Sequence, residues 1–393
     1  MPYAADLGLP PVCRVGLAGT GFLGQGAVRM LQGFPGEIEL GKVLTRRPLD
    51  SKVGIDVDRL TASAEELAAD SDLVLECSGD VYHAAEVVKA AHDAGKPVLT
   101  MDSEFQVTVG SHFCGTGFIS EGEGDQPGSL ASLCEEVTAM GFEPLVLGNI
   151  KGFLNHLPTL GDMEYWSRKN GISLTQVTSF TDGTKMQIEQ ALVANGLRCG
   201  ILEKGLVGPT DLELDEVGAL LGARALEAGG PVVDYILNGK VPPGVFVTCT
   251  HDFEDREVLR YLKLGGGPCY TLLRPYHLCH LEMMKTIRRI KEGRGALLTN
   301  SETPKMNVVA IAKHDFKAGD RMETGIGGFD VRGEVCTFAE EPDAVPIGLL
   351  DETVLLRDVE EGQTLAWTDV EVRPGLARDA AWGIQEKVRA FAS

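Results

Sequence analysis

An α/β fold built on a Rossmann-type, doubly wound parallel sheet is the reading this chain invites, and three observations carry it. A glycine-rich turn, Gly19-Thr20-Gly21-Phe22-Leu23-Gly24, follows the short apolar run Val12–Ala18 and opens a segment whose apolar residues Ala27, Val28, Met30 and Leu31 fall at helical spacing. Apolar strands and amphipathic helices then alternate as far as Met101. Glycine is abundant, 48 of 393 residues, which suits a fold with many tight strand–helix turns.

Each element has its own signal. Ile38–Leu44 reads as the second strand, Val53–Val57 as a short extended piece and Ala64–Ala69 as a helix. Asp72–Cys77 reads as a buried strand ending at Ser78-Gly79-Asp80, Val81–Ala94 as an amphipathic helix and Lys96–Met101 as the next strand. In such a sheet ligands gather over the carboxyl ends of the strands. Cys77, Ser78, Gly79 and the Met101–Glu104 turn with Asp102 are therefore expected beside a cofactor. Gly19, Gly21 and Gly24, with Thr20, Phe22 and Leu23 between them, would let a pyrophosphate approach the backbone at a helix amino terminus.

The end of the second strand selects the dinucleotide. A carboxylate there would take the ribose hydroxyls of NAD, but this chain has Thr45-Arg46-Arg47 and no acid before Asp50. The Arg46 and Arg47 guanidiniums suit a 2′-phosphate, so NADP is favoured. NAD use through backbone contacts stays open, as does a reading of both arginines as solvated surface charges.

The middle of the chain carries the candidate chemistry. Leu145–Ile150 reads as a strand ending at Lys151-Gly152, and Val177–Asp182 as a second strand running into Gly183-Thr184-Lys185 and a helix to Leu197. Asn149, at the end of the first of these strands, is a candidate substrate contact. Lys185 and Glu189 lie four apart on one helix face, and Asp182 sits where a carboxylate caps a helix start. Lys151, Asp182, Lys185 and Glu189 would then form a cluster able to hold and protonate a carbonyl oxygen as it gains charge. The bland alternative is an N-cap and a solvated ion pair.

Further on, Arg274-Pro275-Tyr276-His277-Leu278-Cys279-His280-Leu281-Glu282 places Arg274 and His277 as candidate substrate contacts. His277 and His280 are spaced to share a helical face, but no second ligand pair is evident beside them, so no metal site is assigned and a divalent metal requirement is left open. Met283–Ile290 reads as a helix with Arg288 and Arg289 outside. Phe105–Gly128 reads as a lid or flexible connection, and its acidic Glu121–Asp125 run receives no role.

Composition bounds the rest. Asp and Glu number 57 against 36 Lys and Arg, a formal charge of −21, which gives no long-range attraction for nucleic acid or anionic membranes. The nine scattered cysteines read as reduced thiols, no apolar stretch reaches membrane-spanning length, and Met1–Pro11 lacks the pattern of a secretory leader. A cytoplasmic protein is expected.

These motifs carry a resemblance. Gly19–Gly24, Asn149-Ile150-Lys151-Gly152, Thr178–Lys185 and Arg274–Leu278 together resemble the homoserine-dehydrogenase-like oxidoreductases with a C-terminal SAF domain, one branch being the deoxyxylulose-phosphate-reductoisomerase-like enzymes. The segment after Asn149–Gly152 is shorter than that branch carries. The apolar runs Val308–Ala312, Val354–Leu356 and Trp367–Val372, the first two followed by polar and glycine turns, look like a SAF β-module. The resemblance implies a dinucleotide domain at 1–148, an α+β substrate domain at 149–305 and a small β-rich domain at 306–393. It implies NAD(P)-linked interconversion of a small polar carbonyl and its alcohol, with Lys151, Asp182 and Lys185 matching middle-domain motifs. Reductoisomerisation of a keto-sugar phosphate, homoserine dehydrogenation and a non-catalytic NADP- or sugar-binding sensor are the alternatives. A homo-oligomer is expected, from exposed apolar strands in the middle domain and from the family.

Overall fold

The computed structural model describes residues 7–50, 54–252 and 256–392. Met1 to Asp6, within the leader reading, and Val53, within the short extended piece, lie outside them. In chain order the elements begin β1 (Cys13–Ala18), α1 (Phe22–Gln32), β2 (Ile38–Leu44), β3 (Leu60–Thr61), α2 (Ala64–Ala69), β4 (Leu73–Glu76), α3 (Val81–Asp93) and β5 (Val98–Thr100). There follow α4 (Ser103–Phe105), α5 (Ser111–Phe113), β6 (Ile119–Glu121), α6 (Gln126–Ala139), β7 (Glu143–Lys151), α7 (Leu160–Asn170), α8 (Leu174–Thr181), α9 (Thr184–Leu197) and α10 (Leu214–Ala228). Next come β8 (Val232–Leu237), β9 (Val245–Thr250), α11 (Arg256–Tyr261), β10 (Tyr270–Arg274), α12 (Met283–Lys291) and β11 (Met306–Ala312). The chain closes with β12 (Arg321–Met322), β13 (Val331–Thr337), β14 (Thr353–Leu355), β15 (Val370–Glu371) and α13 (Leu376–Ala392).

Two compact units result, and neither is continuous in sequence. One comprises residues 1–128, 278–303 and 374–391, the other 129–277, 304–373 and 392–393. These boundaries do not coincide with the expected divisions after residues 148 and 305.

The first unit holds a six-stranded parallel sheet in the order β3-β2-β1-β4-β5-β6. Strand order reverses at β1, with β2 on one side and β4 on the other, so a crevice opens at the carboxyl end of β1. Val15, Leu17, Leu73, Leu75 and Leu99 are wholly buried between helices. Leu31 of α1 packs on them, as do Met283, Ile287 and Ile290 of α12. Each side chain of this kind contributes roughly 1.5–3 kcal/mol by leaving water.

Three local expectations are corrected in this unit. Val57 begins a single 3-10 turn, Val57–Arg59, rather than ending a strand. Phe105–Gly128 is no loose connection: it runs from the end of α4 through α5 and the edge strand β6 into α6, and Glu121 and Glu123 are buried within it. Arg289 lies inside rather than outside, because its Nε donates to the Gly295 carbonyl at 3.1 Å, while Arg288 stays exposed and pairs with Glu37 at 2.7 Å.

The second unit centres on a mixed sheet, β10-β9-β7-β8, with β7 and β8 parallel and the other pairs antiparallel. Val217, Leu221 and Ala225 of α10 pack on Val146, Ile150, Ile236 and Phe246. The strands of this sheet are thus largely buried, so they do not supply the exposed apolar face from which an oligomer was expected. The expected strand at Val177–Asp182 is helix α8. Its start is fixed by a reciprocal capping box between Ser173 and Gln176, and the Thr178 hydroxyl donates back to the Leu174 carbonyl at 2.8 Å. These local bonds override the strand propensity of its Val, Thr and Phe residues.

Residues 304–373 add an antiparallel ribbon, β11–β13, and a three-stranded sheet, β12-β14-β15. Of the strand expected over Trp367–Val372 only Val370–Glu371 is extended, after a 3-10 turn at Trp367–Asp369. The ribbon is fastened to α9, which is buried from Thr184 to Asn195. Thr184 Oγ1 accepts from Gly333 N at 2.9 Å and Gln187 Oε1 from Val335 N at 2.9 Å. Asn195 Oδ1 accepts from Met306 N at 2.8 Å while its Nδ2 donates to Met306 O at 3.0 Å.

Among the described residues no helix is long and apolar enough to cross a membrane. All nine cysteines are free thiols.

Asp234 on β8 yields a pH test. Its carboxyl accepts three backbone N–H groups, from Gly208 at 2.9 Å, Tyr235 at 2.8 Å and Val207 at 3.2 Å, yet burial pushes it up to about 6 from 3.8. The folded chain therefore binds this proton more tightly than the unfolded chain. The resulting stability is present at low pH and is lost as pH rises through about 6. Urea unfolding at pH 5 and pH 7.5 should show wild type losing about 1–2 kcal/mol relative to Asp234→Asn, which has no such titration. An equal pH dependence in both proteins would contradict the linkage.

Candidate active site

In the first unit the glycine turn is shaped by contacts that leave no room for side chains at two positions. Gly19 has φ +109°, and a Cβ there would stand 2.6 Å from the Cys77 carbonyl oxygen. A Cβ on Gly24 would stand 2.1 Å from the Gly19 carbonyl oxygen. Gly21 differs: a Cβ there would meet nothing within 4 Å, so its bareness serves no internal packing. Gly21 also caps α1 without a side-chain bond. The helix start therefore has open space beside Gly21, as a dinucleotide pyrophosphate at a helix amino terminus requires. Thr20 Oγ1 and Thr45 Oγ1 hydrogen-bond at 3.0 Å and tie the turn to the end of β2. Phe22 is exposed and Leu23 half-buried.

The strand ends beside the turn are rigid. Glu76 is wholly buried and accepts from Ser78 N at 2.7 Å and from Thr100 Oγ1 at 3.2 Å. Burial pushes its carboxyl up, and burial likewise raises the Cys77 thiol well above its usual range. Sequence reasoning overlooked Glu76, which looked like one more residue of an apolar strand. Asp102 accepts from Phe105 N at 2.9 Å and so caps α4, while Gly79 is exposed with φ +69°. Arg46 and Arg47 are both exposed after β2; Arg46 Nη1 lies 2.5 Å from Asp80 Oδ2.

The second unit assembles Asn149, Lys151 and Glu189. Asn149 Nδ2 donates to Glu189 Oε2 at 3.0 Å, and Lys151 Nζ lies 3.7 Å from the same oxygen. Lys185 sits one turn before Glu189 on α9, and both are buried, so they are not a solvated surface pair. Asp182 meets the start of α9 as expected and also takes a partner that the sequence did not suggest. Its Oδ2 accepts from Lys313 Nζ at 2.7 Å, and both side chains are almost completely enclosed. Its Oδ1 accepts from Thr184 N at 2.9 Å, next to Gly183 at the start of α9. Burial raises the Asp182 carboxyl against the opposing pull of Lys313. Lys313 was not foreseen; its only sequence signal is a lysine directly after the apolar strand β11.

Arg274 ends β10, is buried, and holds its guanidinium 5.2 Å from the Tyr276 ring. His277 is half-buried and belongs to the second unit. His280 belongs to the first, where its ring packs edge-on to Phe22 at 6.2 Å. Among the described residues no group of three or more His, Cys, Asp and Glu side chains is arranged to hold a metal ion.

Residues 124–283 match the family described as oxidoreductase DRL, catalytic domain, a stretch that includes Asn149, Lys151, Asp182, Lys185, Glu189 and Arg274. Together with the glycine turn, this match makes the chain an NAD(P)-dependent oxidoreductase. No curated protein matches the chain. Among solved structures, a myo-inositol dehydrogenase from Corynebacterium glutamicum is 12% identical, with 72% of this chain and 90% of that one covered and a TM-score of 0.42. A UDP-N-acetylglucosamine 3-dehydrogenase from Acidithiobacillus ferrooxidans is 13% identical, with 73% and 92% covered and a TM-score of 0.41. Neither likeness bears on the substrate.

The two kinds of glycine should separate on substitution. Gly24→Ala drives a methyl into the Gly19 carbonyl and should cost roughly 1–3 kcal/mol of stability. Gly21→Ala should leave the melting temperature nearly unchanged yet weaken NADPH at least about ten-fold, measured by nicotinamide fluorescence. Undiminished NADPH affinity in Gly21→Ala would argue against a dinucleotide at this turn.

Proposed function

We propose that this chain reduces a small polar carbonyl compound to its alcohol, or runs the reverse, with NADP(H). The observation that carries the reading is the Asn149–Glu189–Lys151 cluster, with Asn149 and Glu189 buried and Lys185 one helical turn away, within the segment matched to an oxidoreductase catalytic domain. A dinucleotide held at the glycine turn by its pyrophosphate would supply the hydride from its nicotinamide. Lys151 or Lys185 polarises the carbonyl oxygen and gives the resulting alkoxide a proton, which the neutral amine regains from solvent. Glu189 holds Lys151 in place, and Asn149 fixes the Glu189 carboxylate. Asp182 secures the turn from which α9, and therefore Lys185, projects.

Arg274 and His277 are the proposed contacts for polar groups of the substrate, and Arg46 and Arg47 the proposed contacts for the 2′-phosphate. Cys77, Ser78, Gly79 and Asp102 line the cofactor side of the first unit's strand ends on this reading. The ribbon β11–β13 and the sheet β12-β14-β15 support the expected β-rich module only as far as residue 373; the remainder of the expected span, 306–393, carries helix α13. A homo-oligomer in the cytoplasm completes the proposal.

Purified protein tested for NADPH oxidation against small aldehydes, ketones and keto-sugar phosphates decides the matter. Turnover with at least one member is expected. Lys185→Ala and Lys151→Ala should each be assayed; loss of the proton donor lowers kcat by about 10²–10⁴-fold with NADPH affinity unchanged. NADPH binding without turnover of any member would favour the sensor reading, and full turnover in both lysine variants would remove them as acids.

A further inference from the structure

The strand-end acid that ordinarily receives the ribose hydroxyls of NAD is missing after β2, where Thr45-Arg46-Arg47 stands instead. A carboxylate nevertheless reaches this place from another strand. β2 and β4 flank β1, and their carboxyl-terminal loops run on either side of the glycine turn. Gly19 N donates to the Leu44 carbonyl on one side, and Cys77 N donates to the Ala18 carbonyl on the other. Arg46 follows Leu44 by two residues and Asp80 follows Cys77 by three, and their side chains meet at 2.5 Å.

This pair is anchored at one end and free at the other. Asp80 Oδ1 accepts from His83 N at 3.0 Å as the N-cap of α3, so its carboxylate has a fixed position. Burial works to raise the Asp80 carboxyl, but the His83 amide and the Arg46 charge outweigh it and hold it below its usual value. The Arg46 side chain is 59% exposed and can turn. A guanidinium has five N–H donors in a planar fork, so pairing with one carboxylate oxygen leaves several for another anion.

We infer that Arg46 and Asp80 form a two-way cofactor selector, in which Arg46 receives the 2′-phosphate of NADP and Asp80 receives the ribose hydroxyls of NAD. This rests on the dinucleotide reading above. A ribose whose 2′ position reaches Arg46 brings its hydroxyls within a guanidinium's width of Asp80. The carboxylate is then the acceptor that β2 lacks. When a 2′-phosphate arrives, the same carboxylate competes with it for Arg46 and repels it. Asp80 therefore acts in opposite directions on the two cofactors, and discrimination between them is held at a moderate level rather than maximised.

The test uses the full chain with NADPH and NADH as probes, each titrated by nicotinamide fluorescence. Asp80→Asn removes the charge and keeps a side chain that caps α3 as well as aspartate does. It should weaken NADH about five-fold, the loss of one hydrogen bond from a carboxylate, and tighten NADPH about three-fold. The ratio of the two dissociation constants then moves about ten-fold or more toward NADPH. Arg46→Ala should move the ratio the other way, and in its background Asp80→Asn should no longer tighten NADPH. A uniform loss of both cofactors in Asp80→Asn, no change, or a shift toward NADH overturns the selector while leaving the dinucleotide reading intact. Wild-type protein that binds neither cofactor overturns both.

Discussion

Helix α9 is buried from Thr184 to Asn195 and still carries Lys185, Gln187, Glu189, Gln190 and Asn195, and each polar group has to be satisfied away from water. That requirement organises the second unit. Thr184, Gln187 and Asn195 recur at helical spacing on one side and serve the main chain of β11 and β13. Glu189 faces Asn149 and Lys151 at the end of β7. One helix is thus shared between the strand that presents the candidate chemistry and the ribbon that follows in sequence more than a hundred residues later. The Lys313–Asp182 pair secures its first turn, and a buried pair of this kind typically costs 3–5 kcal/mol when one member is removed. The C-terminal strands are part of the same packed body as the catalytic segment, not an appendage to it.

The first unit was largely legible because its signals are local. A glycine turn between a strand and a helix, and the alternation that follows, depend on residues a few positions apart, and β1, α1, β2, α2, β4 and α3 fall where those patterns put them. The misread segments are those where a short-range bond or a distant neighbour decides. Residues 177–182 are rich in strand-forming types, but the Ser173–Gln176 box upstream winds them into α8. Arg289 looks like a surface residue until the Gly295 carbonyl is seen to receive it. Asp182 and Lys313 are 131 positions apart, and no spacing rule connects them. Lys151, Lys185 and Glu189 were legible because strand ends and i,i+4 pairs are regular. What the pattern could not tell is that Lys185 and Glu189 are buried and Lys151 half-buried, so the group is not a solvated surface pair.

The two units use different means to present chemistry. In the first, the proposed dinucleotide site is a main-chain turn in which Gly21 leaves open space. In the second, the candidate groups are ionic side chains enclosed among partners. The former tolerates changes of side chain around it but not within the turn. The latter depends on every member being present, since an unmatched charge in a low-dielectric interior is the expensive state.

The discontinuity of the first unit bears on how the protein is made. Met283, Ile287 and Ile290 complete the core around Val15, Leu17 and Leu73, and they emerge from the ribosome long after the sheet they cover. Until then the nascent sheet exposes an apolar face where α12 will later pack, and the unit cannot finish closing as an autonomous amino-terminal piece. A polypeptide cut after residue 148 would carry the whole glycine turn and six strands, yet it would be a sticky fragment in need of a chaperone.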